Sequence, residues 1–323
     1  MRVIIIMFFI VVLAIGALGV VIAFNAPKPP PVMVSVVHAL DHVDFSDLPA
    51  VSHYAARDDT ELAYRAYPGS SQATVILVHG SSGNSASMHA LARALQSAGA
   101  TVYALSMRGH DHTGRSGDID YIGQMDDDLA DFVATLGNRR EGERRILLGF
   151  SSGGGFVLRI AGSKYGNPFD RFVLLAPFLR YDAPTVRPGG GGWTSVAVGR
   201  MIGLTLLNKL GISALNGLPV IAFAVAPDMR DVQTPSYSYR LLRNFGPHDD
   251  YLGDLVHAPA PVVLLDGDKD EIFRHEEFAP LLHPVCPGLV VTIVPDANHM
   301  GLISRPDALQ AATDAALGAG GSC

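Results

Sequence analysis

Charge is scarce in this chain. Of its 323 residues only 17% are Asp, Glu, Lys or Arg, and acids outnumber bases to leave a net charge of −7. A nucleic-acid binder needs a basic face interleaved with aromatics, so that class is excluded and no nucleic-acid partner is expected. Cysteine occurs twice, at Cys286 and Cys323. Two thiols close at most one bridge, which excludes a disulfide scaffold. No internal repeat is present, and low complexity is confined to a proline run at 29–31 and a glycine run at 189–192. A solenoid is therefore excluded. What is plentiful is apolar surface, at 48% of residues, enough to build one large core.

The N-terminus stands apart. No charged residue lies between Val3 and Phe24, with Arg2 before this stretch and Lys28 after it. About 20 apolar residues span a bilayer as a helix, and the prolines at Pro27 and Pro29 to Pro31 end a helix and stiffen the chain beyond it. The expectation is an uncleaved signal anchor, a transmembrane helix over 1–25. It would hold the protein at an inner membrane with the rest of the chain on the outer, periplasmic side. The alternative is a signal peptide cleaved near Ala17-Leu18-Gly19, with secretion of the remainder.

Residues 26–50 read as a proline-rich linker and a first strand, the strand resting on the alternation from Val32 to Phe45. A hairpin comes next, its arms flanking Asp58-Asp59. Apolar strands then alternate with helices. The strands cover Thr74 to Val78, Thr101 to Leu105, Arg145 to Phe150 and Phe172 to Leu175. The helices run from Ser85 to a stop at Gly99, from Tyr121 to Leu136, and from Ser152 to Gly162. Fully apolar strands separated by helices imply a parallel sheet covered on both faces. The alternation makes 51–179 the first part of a core and breaks over 180–259, where the apolar stretch from Val196 to Ala226 reads as a helical cap insertion. Strands at Val262 to Leu265 and Val290 to Val294, with a last helix near Pro306 to Leu317, complete the core over 260–323.

One motif carries chemistry. The strand ending Leu147-Leu148-Gly149-Phe150 runs into Ser151-Ser152-Gly153-Gly154-Gly155. Gly-x-Ser-x-Gly between a strand and a helix is the nucleophile elbow, in which small neighbours let a strained turn push a serine hydroxyl out of the sheet. A serine needs a base, and the base needs an orienting acid. Both come later in the chain, in the required order: Asp266-Gly267-Asp268-Lys269-Asp270 after one late strand, and Asn298-His299 after the last. Asp270, Asp268 and Asp266 are the acids available on that turn.

With these residues, and with Val78-His79-Gly80-Ser81-Ser82-Gly83 and Met107-Arg108-Gly109-His110, the chain resembles the α/β-hydrolase superfamily. Within it, the monoacylglycerol lipase, lysophospholipase and serine-aminopeptidase-like group is the most similar. The resemblance covers nearly everything after residue 50. It implies an α/β fold with a mostly parallel central sheet, helices on both faces and a helical cap. It also implies a catalytic set of Ser151, Asp270 and His299. The oxyanion hole would come from the backbone N–H groups of Ser81 and Ser152, with His79, Gly80 and Ser82 in the substrate-binding loop. The turn at His110-Asp111-His112 departs from the family pattern by an extra charged, imidazole-bearing piece.

The expected activity is hydrolysis of a carboxylic ester through an acyl-enzyme, on a small amphiphilic substrate such as a monoacylglycerol or lysophospholipid. The alternatives are a peptidase, thioesterase or acyltransferase on the same triad, or a non-catalytic membrane-tethered binding module. No cofactor is expected. His110-Asp111-His112 has a spacing that suits metal ligation, but it lacks a partner cluster, so no metal is expected either.

Overall fold

The computed structural model describes residue 13 and residues 16–318. It opens with helix α1 over 16–24 and a short helix α2 (Val34–Val37), then the hairpin β1 (Val51–Ala55) and β2 (Glu61–Tyr67). The core continues through β3 (Ala73–Val78), α3 (His89–Ser97), β4 (Thr101–Leu105), α4 (Gln124–Thr135), β5 (Arg144–Phe150), α5 (Ser152–Ala161) and β6 (Arg171–Leu175). The insertion holds β7 (Thr194–Val196), α6 (Val198–Lys209), β8 (Pro219–Phe223), β9 (Ser236–Ser238), α7 (Tyr239–Asn244) and α8 (Tyr251–Val256). The chain returns to the core with β10 (Val262–Gly267), α9 (Phe278–Leu282), β11 (Val290–Val294) and α10 (Pro306–Leu317).

Eight strands form one sheet in the order β1-β2-β4-β3-β5-β6-β10-β11. The β1–β2 and β2–β4 pairings are antiparallel and the rest parallel. Burial explains the composition of the middle strands. Every residue of β6 and β10 is buried, as are all but the first of β3 and β5. A strand buried on both faces favours apolar side chains along its middle, and the buried polar residues Thr74, Arg145, Arg171 and Asp266 fall at or near strand ends. The loops after β3, β5, β10 and β11 leave the carboxyl edge of the sheet, where α/β folds place their ligands.

Three expectations are corrected. The first is the transmembrane helix, and with it the single-span anchor and its inner-membrane placement. Residues 1–12, 14 and 15 of that stretch lie outside the described residues, and among the described residues no helix is long and apolar enough to cross a membrane. The described stretch of α1, residues 16–24, packs on the insertion. Ile22 is buried with Met201, Leu204, Val220 and Tyr239, and the Arg200 guanidinium donates to the carbonyl oxygens of Ile22 and Ala23 at 2.7 and 3.1 Å.

The second correction is the strand expected from Val32 to Phe45, which is the short helix α2 and a series of turns. Alternation makes a strand only where a sheet edge offers backbone partners. Here β1 occupies that edge, and Val36 of α2 lines a small cavity with Gly80 and Ser81.

The third is the helical cap. The insertion is mixed, with β7, β8 and β9 in an antiparallel three-stranded sheet beside its helices.

Candidate active site

Ser151 lies between β5 and α5 with φ 56° and ψ −119°, a region that L side chains rarely occupy and that costs on the order of 1–3 kcal/mol. The neighbouring glycines make that turn sterically feasible. A Cβ on Gly149 would fall 2.2 Å from the Gly153 carbonyl oxygen, and one on Gly153 would fall 2.4 Å from the His79 carbonyl oxygen. The turn is tied into the sheet on both sides. The Ser151 N–H donates to Leu175 O at 2.8 Å, and Ser151 O accepts from the N–H groups of Gly155 and Phe178 at 3.1 and 3.0 Å.

Asp270 and His299 sit on the loops after β10 and β11, and both are buried. His299 Nδ1 lies 2.7 Å from Asp270 Oδ2, while Asp270 Oδ1 accepts the N–H groups of Ile272 and Phe273 at 2.7 and 2.8 Å. Burial pushes the Asp270 carboxyl up, but the His299 charge and hydrogen bond, the Phe273 N–H and Asp266 outweigh it and hold it below the usual carboxylate range. The imidazole is wedged between Phe150 and Phe273, with ring centroids at 4.6 and 5.3 Å. Its backbone N–H donates to Glu271 Oε2 at 2.9 Å.

The other two acids of that turn differ. Asp266 is fully buried, accepting the Gly267 N–H at 2.8 Å, and burial together with the Asp270 charge raises its carboxyl well above the usual range. Burial thus favours its uncharged form. Among the described residues it is Asp270, and not Asp268, that bonds the His299 ring.

Two cavities meet at Ser151. The larger, about 1030 Å³, is lined by Ser81, Ser151 and Ser152 and walled largely by apolar side chains of the insertion, among them Trp193, Met201 and Phe223. That volume is at the top of the range of about 300–1,000 Å³ typical of ligand sites. The smaller, about 20 Å³, lies between Val36, Gly80, Ser81, Ser151 and His299. The structure thus brings Ser151, His299 and Asp270 into one locality, with Ser81 and Ser152 beside them. A Cβ on Gly80 would lie 3.1 Å from Ser151 Cβ, so that loop passes directly over the serine.

His79 and Ser82 are buried and line neither cavity. His79 Nδ1 donates to Gly80 O at 2.7 Å and its Nε2 accepts the Met107 N–H at 3.1 Å, an arrangement that joins two loops. His110 is likewise buried, its Nε2 2.6 Å from the Tyr237 hydroxyl. Sequence pattern gives Asp126 and Asp128 only a helix-terminus role. They ion-pair with Arg159 and Arg108 at 2.7 and 2.8 Å. Those partners lie 33 and 20 residues away, and no local pattern links them.

Comparison with known proteins bears on the fold and the family. The family model "Serine aminopeptidase, S33" matches residues 69–285, a stretch that includes Ser151 and Asp270. The chain is 27% identical over 208 residues to a monoacylglycerol lipase of Mycolicibacterium smegmatis, covering 61% of this chain and 70% of that protein. Among solved structures it is similar to a soluble variant of the Saccharomyces cerevisiae monoglyceride lipase, with TM-score 0.62, 18% identity, and coverage of 89% of this chain and 96% of that one. It is also similar to the Paleococcus ferrophilus monoacylglycerol lipase, with TM-score 0.57, 19% identity, and coverage of 79% and 99%. The chain belongs to the serine aminopeptidase S33 family of the α/β-hydrolase superfamily, and it is an ester-bond hydrolase.

Proposed function

We propose that the chain hydrolyses the carboxylic ester of a small amphiphile with one acyl chain, such as a monoacylglycerol or lysophospholipid, through a Ser151-His299-Asp270 triad. The observation that carries this reading is the placement of Ser151. It stands in its strained turn at the floor of an apolar-walled cavity of about 1030 Å³, with the His299–Asp270 pair on its other side. The relatives named as monoacylglycerol lipases support the same substrate class.

Ser151 Oγ attacks the acyl carbon while His299 Nε2 takes its proton. Asp270 holds the Nδ1–H tautomer and stabilises the imidazolium. The tetrahedral oxyanion is held by the N–H groups of Ser81 and Ser152, each worth about 100- to 1000-fold in turnover. The C–O bond to the alcohol breaks as His299 returns the proton to the leaving oxygen. Water, deprotonated by His299, then releases the fatty acid and regenerates Ser151. The acyl chain lies along Trp193, Met201 and Phe223.

The test is hydrolysis of p-nitrophenyl esters of rising acyl length by the protein and by Ser151→Ala. Activity that disappears in the variant and peaks at a medium or long chain supports the reading. Equal activity in Ser151→Ala, or a preference for aminoacyl anilides over esters, overturns it.

A further inference from the structure

The loop that carries Ser81 is held from above, by the insertion. Ser82 sits in the left-handed region at φ 66°, a conformation that a serine does not hold unaided. Every polar group of Ser82 is bonded to the insertion. Its N–H donates to the Tyr237 hydroxyl at 2.7 Å, its Oγ donates to Thr234 O at 2.6 Å, and its carbonyl accepts the Thr234 N–H at 3.3 Å. One residue earlier, the Trp193 indole N–H donates to Ser81 Oγ at 2.9 Å.

The Tyr237 hydroxyl accepts from Ser82, so its own proton goes to His110 Nε2, 2.6 Å away. The imidazole is then the Nδ1–H tautomer, and that nitrogen faces the Met107 and Arg108 carbonyl oxygens at 3.1 and 3.2 Å. The chain of donors is complete in one direction, with every buried member satisfied. Burial supports it by holding His110 neutral, its titration pushed down to about 4. Trp193 and Tyr237 also form part of the wall of the large cavity.

We propose that Tyr237, with Thr234 and Trp193, is a positioning residue through which the insertion shapes the oxyanion loop. In consequence the Ser81 N–H reaches its working position only while the insertion is seated. This rests on the Ser151-His299-Asp270 triad and assigns a role to residues that do not touch the reacting atoms.

The experiment compares the full chain with Tyr237→Phe, referring kcat to active sites counted with a fluorophosphonate. Misplacing a loop donor without removing it should lower kcat about 10- to 100-fold, below the loss for an absent donor, with KM within threefold. Affinity for an alkyl boronic acid, whose tetrahedral adduct on Ser151 puts an oxygen at the oxyanion position, should weaken by a similar factor. A tyrosine that only stabilises the fold would reduce the count of active sites and leave kcat per site unchanged. That result, or a boronate affinity within twofold of the parent, overturns the proposal. Ser151→Ala separates the two readings, because activity surviving there sinks the triad and not the clamp alone. Where Tyr237→Phe does not fold, Trp193→Phe and Ser81→Ala replace it. Each should lose kcat about 2- to 12-fold, the worth of one hydrogen bond, and the double variant should lose no more than either. Full additivity or no loss overturns the proposal.

Discussion

Gly149 and Gly153 face each other across the elbow so closely that a Cβ on Gly149 would fall 2.2 Å from the Gly153 carbonyl oxygen. The obstruction is backbone on both sides, which no rotamer change relieves. Gly149→Ala should therefore destabilise by about 3 kcal/mol, the top of the overpacking range, and abolish most ester hydrolysis in whatever folds. Gly246→Ala is the control, because its nearest neighbours are Phe178 ring atoms at 3.5 Å, an ordinary contact. Urea unfolding of both variants beside the parent checks this. Equal stability of the two would mean that the elbow relaxes freely.

Asp266 and Asp270 lie four positions apart and are pushed in opposite directions, Asp266 up by burial and the Asp270 charge, Asp270 down by His299 and its N–H donors against the cost of burial. Asp270→Asn removes the group that fixes the His299 tautomer and should lower kcat by about 10⁴-fold, the loss seen when a triad acid becomes an amide. Asp266→Asn keeps the shape of a carboxyl whose charged form burial disfavours and which does not bond the His299 ring, so kcat should stay within about fivefold. Its stability effect has a definite sign. Asp266 has a raised pKa in the folded state, so folding loses stability as pH rises above 3.8, and the loss persists at pH 7. The asparagine variant should melt higher than the parent at pH 7 and show little gain near pH 4. Thermal melts at both values, with kcat alongside, decide the assignment. A large kcat loss in Asp266→Asn would move the acid to that residue.

His79 and His110 are both buried and both titrate below the usual histidine value, burial being the main cause. The unfolded chain takes up these protons near pH 6.5 while the folded chain refuses them. Each histidine thus withdraws about 1.4 kcal/mol per pH unit as pH falls below 6.5, for His110 down to about 4. Asp128 works the other way in the same window. Burial raises it to about 6 against the pull of Arg108, so folding recovers stability as it protonates. The net slope is therefore less informative than a difference. His110→Gln should unfold with a slope shallower by one proton between pH 6 and 4.5, whatever its absolute stability. Urea titrations across that range measure it, and parallel slopes would show that His110 is protonated in the folded state.

Much of this architecture was legible because burial writes directly into composition. A strand covered on both faces reads as an unbroken apolar run, as at Val75-Ile76-Leu77-Val78, and the elbow must be Gly-x-Ser-x-Gly because backbone segments touch at Gly149 and Gly153. The order Ser151, Asp270, His299 arises from each lying after its own strand. The insertion was not legible in the same way. The apolar stretch from Val196 to Ala226 holds both helix α6 and strand β8, and periodicity alone does not part a short buried strand from a helix. The N-terminal run is apolar enough for a lipid phase, yet Ile22 finds its apolar partners on α6, β8 and α7, a destination that hydropathy does not encode. The clamp on Ser82 joins residues 152 and 155 positions apart, and only the fold brings them together.

The wall of the large cavity should set acyl-chain preference. Leu206 lies on α6, lines that cavity and is 47% exposed, so its side chain sits at the rim, where a larger ring can be accommodated without repacking the core. Leu206→Trp would occupy the space used by the far end of a long chain and leave the floor near Ser151 untouched. Each methylene denied burial forfeits about 0.8 kcal/mol, close to a factor of four. Excluding two of them should raise KM for long-chain p-nitrophenyl esters by more than 10-fold, while acetate and butyrate esters keep kcat and KM within about twofold. The loss should sit in KM because a chain end far from the reacting carbon binds ground state and transition state alike. A variant whose acyl-length profile is unchanged would place the chain elsewhere, and the smaller cavity beside Val36 would become the site to probe.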